Sequence, residues 1–412
     1  MAENSAGSSK TLKNGERLLP SELKEEIFAK LPVKDILRSR SVCKPWKTLI
    51  DNQEFKKKLF EEAKRSNSKL IIWRKSFSSL EPTLQILCPP FNSVSPPIEI
   101  NLSQFLDDSV FDDSDIMIVS SGGVVDNLDF KKFGVVDGIV CLGWNSFVVV
   151  WNPYTREFKR FNAPKKDWVF DLLEDSGINY DVFLNDQICA FGFDPIEQDY
   201  KFLIAHFTSA LINDGNCKNK VLFQLYSVRN NAWRGAVFDF PFINGVVTGD
   251  GFMNDGKFYW FVKKCGEKME NGSFSPAVIA FDFCNEVFEV IKLPVELARG
   301  DDTIAVANRG VLEIILSYDD DRKEEGSRSE VWVMGDGGSW SRTLSVDLPC
   351  MVDRPIGVLK DGEIMFEKPS RVDGVKELVL IDPATDSCKK LGLDGTELWM
   401  FNYVQSLFSI KQ

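Results

Sequence analysis

An internal repeat constrains the fold of this chain more than any other feature. In each copy a strand-like run enters a turn, and a second run, aromatic or charged, leaves it and ends near proline. Copies occupy residues 148–164, 223–241, 278–294, 331–349 and 378–393. Aligned on Trp151, Tyr226, Phe281, Val333 and Ile381, they lie 75, 55, 52 and 48 residues apart. The first interval contains an apparent loop at 165–187, and residues 83–100 read as a degenerate earlier copy. Further short runs rich in Val, Ile, Phe, Tyr and Trp lie between the copies, punctuated by Asn, Asp, Gly and Pro. This is the composition of strands and turns. A unit of ~50 residues with about four strands cannot bury both of its faces alone, so neighbouring units must stack. A closed ring of blades satisfies every unit. The pattern predicts an all-β propeller of six blades, with seven as the other admissible count. The rival architecture, a pair of β-sandwiches, requires no repeat. The final run, 403–410, is placed to complete the first blade and clasp the ring.

Residues 17–60 follow a different period. Leu19, Leu23, Ile27 and Leu31 recur at spacing four, with Phe28 beside them, and make the apolar stripe of a helix. Pro20 opens that helix, where its missing N–H costs little. Glu22, Glu25 and Glu26 in the early turns and Lys30 in the last suit the helix dipole, and Pro32 ends it. A second short helix follows over 34–40, with Ile36 and Leu37 as its apolar pair. Val42, Cys43, Trp46, Leu49 and Ile50 continue at near-helical spacing, and Pro45 starts or kinks a third helix. Phe55, Leu59 and Phe60 close this small three-helix unit. It holds more apolar side chains than about 45 residues can bury among themselves, which assigns the surplus to a partner's surface. The expected organisation is an α+β multidomain chain: a disordered tail over 1–15, a helical module over 16–62, a linker over 63–70 and the β-rich region over 71–412.

With 412 residues the chain is too long for one ordinary core. Its N-terminus lacks the apolar segment of a signal peptide, and no run reaches the ~18 apolar residues of a membrane span. These features predict a cytoplasmic or nuclear protein with no membrane insertion. The nine cysteines are scattered and form no C-x-x-C pair, which fits reduced thiols and argues against a zinc site. Residues 10–69 hold 16 Lys and Arg against 9 Asp and Glu, while the remainder holds 33 against 52. The acidic bulk disfavours nucleic acid as a partner. The basic helical module suits steering toward an acidic protein, although the same lysines could simply solubilise a helical surface.

Candidate chemistry is sparse. His206 is the one histidine and sits in an apolar strand run, where a nucleophile–histidine pair has nothing else to use. Carboxylate pairs at 107–108, 112–113, 301–302 and 319–321 fall in turn-like polar segments. Gly-Asp-Gly-Gly at 335–338 reads as a hairpin tip. No catalytic residue, metal ligand or cofactor site is expected. A propeller enzyme such as a carbohydrate hydrolase remains the alternative from another functional class.

The helical module resembles the F-box, which binds Skp-type adaptors of cullin-based ubiquitin ligases. The resemblance is carried by L-P-x-E-L-x-x-E-I from Leu19, L-P-V-K from Leu31, L-R-x-R-x-V-C-K-x-W from Leu37 and L-I at 49–50. It implies adaptor-facing roles for Leu19, Pro20, Ile27, Leu31, Pro32, Val33, Leu37, Val42, Cys43 and Trp46. The β-rich region resembles the F-box-associated domain of plant F-box proteins. That likeness rests on G-I-V-C-L…W-N-P-x-T-R-E (138–157), G-F-D-P…D-Y-K (192–201), Y-S-V…W (226–233), D-G-x-x-Y-W (255–260) and S-L-x-S-I (406–410). Together they imply a non-catalytic substrate receptor of a ubiquitin ligase, tied through the adaptor to a cullin and a RING subunit. Its targets would bind loops at 165–187, 208–220, 263–276 and 319–330. The family's targets include immune receptors and self-incompatibility ribonucleases, and a non-degradative F-box scaffold is the other role open to such a chain.

Overall fold

The computed structural model describes residues 20–66, 69–75, 83–88, 98–100, 131–143, 147–164, 168–175, 182–211, 217–240, 247–254, 256–265, 275–294, 296–297, 302–308, 311–319, 327–335, 338–350, 352–359, 362–370, 372 and 374–410. The expected tail at 1–15 and the carboxylate pairs at 107–108 and 112–113 lie outside them.

Four helices come first: α1 (Ser21–Ala29), α2 (Val33–Ser39), α3 (Lys44–Asp51) and α4 (Gln53–Ser66). The expected three-helix unit thus gains a fourth, because Phe55, Leu59 and Phe60 lie on a helix of their own, with Phe55, Leu59 and Phe60 all buried. Asn52 starts it, its Oδ1 accepting from the amides of Glu54 and Phe55 at 2.8 and 3.1 Å. Most of the expected linker at 63–70 is helix or strand.

The strands among the described residues form six four-stranded antiparallel sheets. The first blade holds β1 (Lys69–Lys75), β2 (Thr83–Leu87) and β3 (Ile98–Ile100). The second holds β4 (Lys131–Val136), β5 (Ile139–Gly143), β6 (Phe147–Trp151) and β7 (Phe158–Asn162). After α5 (Trp168–Asp175) comes the third, β8 (Val182–Asp194), β9 (Asp199–Leu211), β10 (Cys217–Ser227) and β11 (Ala232–Asp239). The fourth is β12 (Val247–Asn254), β13 (Lys257–Cys265), β14 (Ser275–Asp282) and β15 (Val287–Lys292). The fifth is β16 (Asp302–Asn308), β17 (Val311–Asp319), β18 (Ser327–Met334) and β19 (Trp340–Asp347). The sixth is β20 (Arg354–Val358), β21 (Ile364–Pro369), β22 (Lys376–Asp382) and β23 (Ser387–Gly395), and β24 (Glu397–Tyr403) then pairs with β1. A six-bladed ring closed by its last strand is the fold. Closure uses 397–403, running antiparallel from Lys75↔Glu397 to Lys69↔Tyr403. The expected clasp at 403–410 lies one segment too late.

Each repeat residue sits at the end of a third strand, and a shared turn explains the period. Asn152, Ser227, Asp282 and Asp382 directly follow Trp151, Tyr226, Phe281 and Ile381. Their side chains accept from the amides of Tyr154, Asn230, Cys284 and Ala384 at 2.8–3.0 Å. Four residues on, Arg156, Asn231, Glu286 and Asp386 have φ of 59°, 54°, 56° and 52°, and Gly338 fills the equivalent place in the fifth blade. The β8–β9 hairpin repeats the device with Asp194 and Gln198.

The buried interior is apolar and aromatic. Between the third and fourth blades, Phe223, Phe281 and Phe288 pack with ring centroids 4.8–5.9 Å apart, above a buried Trp260. Two buried charges, a lysine and a glutamate, join polar elements within this apolar setting. Lys201, its side chain 3% exposed, places Nζ 2.7 Å from Asp194, 2.9 Å from Glu197 and 2.8 Å from Glu286, so it ties the third blade to the fourth. In the sixth blade the fully buried Glu367 accepts from Arg354 at 2.9 Å and Lys376 at 2.8 Å. Burial pushes the Glu367 carboxyl up, and its two cations more than offset this and hold it below the usual range.

Candidate functional site

The helical module encloses Phe28, Val33, Ile36, Ile50, Phe55 and Leu59. Trp46 meets Phe28 edge to face at 5.1 Å and is half-buried, as are Leu31 and Leu37. Pro20 and Pro32 stand immediately before α1 and α2, and Cys43 before α3. Pro45 lies in the first turn of α3, where no amide donor is needed.

Of the ten residues expected to face an adaptor, Pro20, Ile27, Pro32, Val42 and Cys43 are exposed. Ile27 is 50% and Val42 64% exposed, high for such side chains. Leu31, Leu37 and Trp46 present part of their surface outward while packing on the core. Val33 is buried and packs in the core of the helical module. Leu19 lies outside the described residues. Leu23, 45% exposed one turn before Ile27 on α1, joins the outward set. The spacing-four stripe had contained it.

The module is fastened to the ring by the segment following β24. Leu407 is buried in the helical core, and the Phe408 ring lies 5.3 Å from that of Phe60. Ile410 is buried among residues of the second and third blades. The W-N-P-x-T-R-E motif holds this strap. Fully buried Asn152 donates from Nδ2 to the carbonyls of Ser406 and Phe408 at 3.2 and 2.9 Å. Glu157 accepts from the Ser409 hydroxyl at 2.7 Å and the Ile410 amide at 3.1 Å. Tyr154, stacked on Tyr403 at 6.1 Å, packs against both the helices and the first blades.

The β4–β5 turn also lies under the strap. Asp137 and Gly138 have φ of 51° and 76°, the pair of positive values that a two-residue hairpin requires. A Cβ on Gly138 would lie 2.3 Å from the Val404 carbonyl oxygen. Burial pushes the Asp137 carboxyl up to about 6, Lys64 of α4 opposing and Glu61 adding to the rise. Folded Asp137 therefore binds its proton more tightly than the unfolded chain does. The resulting stabilisation is complete below pH ~4 and is lost as the pH rises through about 6. Asp137→Asn keeps the turn and removes the charge. It is expected to stabilise the protein by about 1–3 kcal/mol at pH 7.5, with the gain vanishing by pH ~4. Denaturant unfolding across this pH range checks it.

Strand direction separates the two ends of the ring. In each sheet the innermost and third strands end, and the second and fourth begin, at one face; the second and fourth end at the opposite face. Asp137, Asn152, Glu157 and Tyr403 belong to the first face, so the helices sit there. The segments expected to contact targets all leave from the other face, and they are shorter than anticipated. β9 and β10 run to Leu211 and from Cys217, β13 and β14 to Cys265 and from Ser275, and β17 and β18 to Asp319 and from Ser327. The apparent loop at 165–187 contains α5 and the start of β8. Trp168 and Val169 of α5 are buried, while Phe170 is 49% exposed.

His206 is half-buried on β9, its ring 5.6 Å from Trp168. Among the described residues no group of three or more His, Cys, Asp and Glu could hold a metal ion, and no helix is long and apolar enough to cross a membrane.

Comparison with known proteins agrees with this geometry. Residues 17–58 match the F-box domain, and residues 91–410 match the F-box associated beta propeller domain. An F-box/kelch-repeat protein of Arabidopsis thaliana is 26% identical, over 84% of this chain and 84% of its own length. Another F-box protein of the same plant is 24% identical, over 96% of this chain and 98% of its own length. Among solved structures, a family 117 glycoside hydrolase of Zobellia galactanivorans aligns with 8% identity over 52% of this chain and 72% of that chain. Its TM-score of 0.31 carries no argument about function.

Proposed function

Since this chain belongs to the F-box proteins that carry an F-box associated β-propeller, we propose that it is the substrate-recognition subunit of an Skp–cullin–F-box ubiquitin ligase. The F-box is a non-catalytic protein–protein interaction module. The observation that carries the proposal is the outward placement of Leu23, Ile27 and Val42 on a module whose own core is already filled. Apolar anchors of this kind supply most of the affinity when helices enter a groove. The Skp-type adaptor would cover them and bring the cullin and RING subunits. The propeller would hold a target beside the charged ubiquitin carrier, raising its effective concentration without chemistry of its own. Targets would bind on the face away from the helices, through the loops expected at 165–187, 208–220, 263–276 and 319–330. The acidic balance outside the helical module favours a basic target, a charge a secreted ribonuclease could supply. The complex would work in the cytoplasm or nucleus.

Ile27→Glu with Val42→Asp tests this reading better than changes at Leu31 or Trp46, which also pack the core. Adaptor affinity measured by calorimetry is expected to fall at least ~100-fold, from about 2 kcal/mol per lost anchor, with an unchanged thermal melt. Undiminished adaptor binding by the double variant would refute it. Depletion of the protein in plant cells should stabilise targets captured by both forms, and unchanged target lifetimes would mean a non-degradative scaffold.

A further inference from the structure

We propose that Cys350 and Cys388 form a reversible disulfide that closes under peroxide. The two sulfurs lie 3.3 Å apart at a sequence separation of 38. Cys350 is in the connection between β19 and β20, and Cys388 is the second residue of the outer strand β23. Both are free thiols, and they are the described cysteines whose sulfurs touch. Their exposures divide the chemistry. Cys388 is exposed and open to an oxidant, while Cys350 is half-buried against the core between the fifth and sixth blades. Burial, then the contact with Cys388, pushes the Cys350 thiol up to about 11. It therefore waits as the protonated, resolving partner.

The reaction needs a two-electron oxidant, and hydrogen peroxide is the one invoked. The Cys388 sulfur attacks a peroxide oxygen, breaks the O–O bond and becomes a sulfenic acid with loss of one water. The Cys350 sulfur then attacks the Cys388 sulfur, forming S–S and breaking S–O. The hydroxyl and the last thiol proton leave as the second water. Two thiols are oxidised, one peroxide is reduced, and a thiol reductant reverses the change. The bond would staple the edge strand of the last blade to the seam with the fifth blade. In a reducing compartment the pair rests as thiols.

The test treats the full chain with a small excess of hydrogen peroxide and reads intact mass, peptide maps and melting temperature. The expected result is a loss of about 2 Da, a reductant-sensitive peptide joining Cys350 to Cys388, and a melt raised by roughly 2–5 °C. Cys388→Ser and, separately, Cys350→Ser should abolish the joined peptide and the shift while melting like the untreated protein. Oxygen addition at Cys388 without a bridge, a bridge to any other cysteine, or no reaction under peroxide would each overturn the proposal.

Discussion

A chain lacking residues 396–412 is expected to give no cooperative melt and to bind hydrophobic dyes at room temperature. The cut removes β24, and with it every hydrogen-bonding partner of β1 on its inner side, from Lys69↔Tyr403 to Lys75↔Glu397. It also exposes Leu70, Ile72, Leu378 and Leu380, which pack with the fully buried Leu398. Tyr403, another fully buried residue, is lost from the core between the first two blades. A shorter deletion, of 404–412, separates closure from fastening. It keeps β24 and removes Leu407, Ile410 and the partners of Asn152 and Glu157. Two buried aliphatic side chains alone put that loss at about 3–6 kcal/mol, a large share of a typical domain's stability. Urea unfolding midpoints report both variants. Hydrogen exchange should show the protection lost by the shorter deletion concentrated in α4 and the β4–β5 turn. Wild-type-like melting of the longer deletion would mean that the ring does not depend on its closing strand.

Lys201→Met is expected to cost about 3–5 kcal/mol, the usual penalty for removing one partner of a buried ion pair. Methionine retains much of the lysine stem's bulk, so little of the loss would come from packing. Asp194 would remain buried, with Glu197 and Glu286 beside it and no ammonium among them. In the native protein burial pushes the Asp194 carboxyl up, and Lys201 with the Glu197 and Ile196 amides outweighs this and holds it below the usual range. That depressed group stabilises the native protein above the ordinary carboxylate range, and the contribution fades as the pH falls through its folded value. In the variant the sign reverses: protonation relieves the stranded carboxylates. The gap between variant and wild type should therefore narrow between pH 7 and pH ~4. Urea titrations at a series of pH values read this, and a gap constant with pH would show that Lys201 acts through its apolar stem.

The ring was legible in the sequence because its period is a local property. Trp151, Tyr226, Phe281 and Ile381 precede a polar residue that closes each turn, and that chemistry is written in adjacent letters. The innermost strands were harder to read. β12, VTGDGFMN, carries glycines and an aspartate that no alternation rule assigns to a strand. β24 and the strap after it are both apolar-rich, and only pairing with β1 distinguishes them. The strap looks strand-like because Leu407 and Ile410 are buried, but in two separate cores. α5 was missed because eight residues of helix between two repeats resemble an insertion. In the candidate site, the burial of Val33 and the exposure of Leu23 depend on how α1 and α2 roll against α3 and α4. Spacing alone does not fix that rotation. The Cys350–Cys388 contact leaves no trace in sequence, because the fold supplies the proximity.

The placement of Leu407 has a consequence for synthesis. The ribosome releases α1–α4 well before Leu407, by about 20–70 s at usual elongation rates. During that interval the helical core lacks a buried leucine and the first blade lacks its inner strand. The helical core and the first blade are therefore completed by the same short segment. A nascent polypeptide presents its docking helices long before they are finished, and a message cut short upstream of β24 encodes helices that never acquire their last core residue.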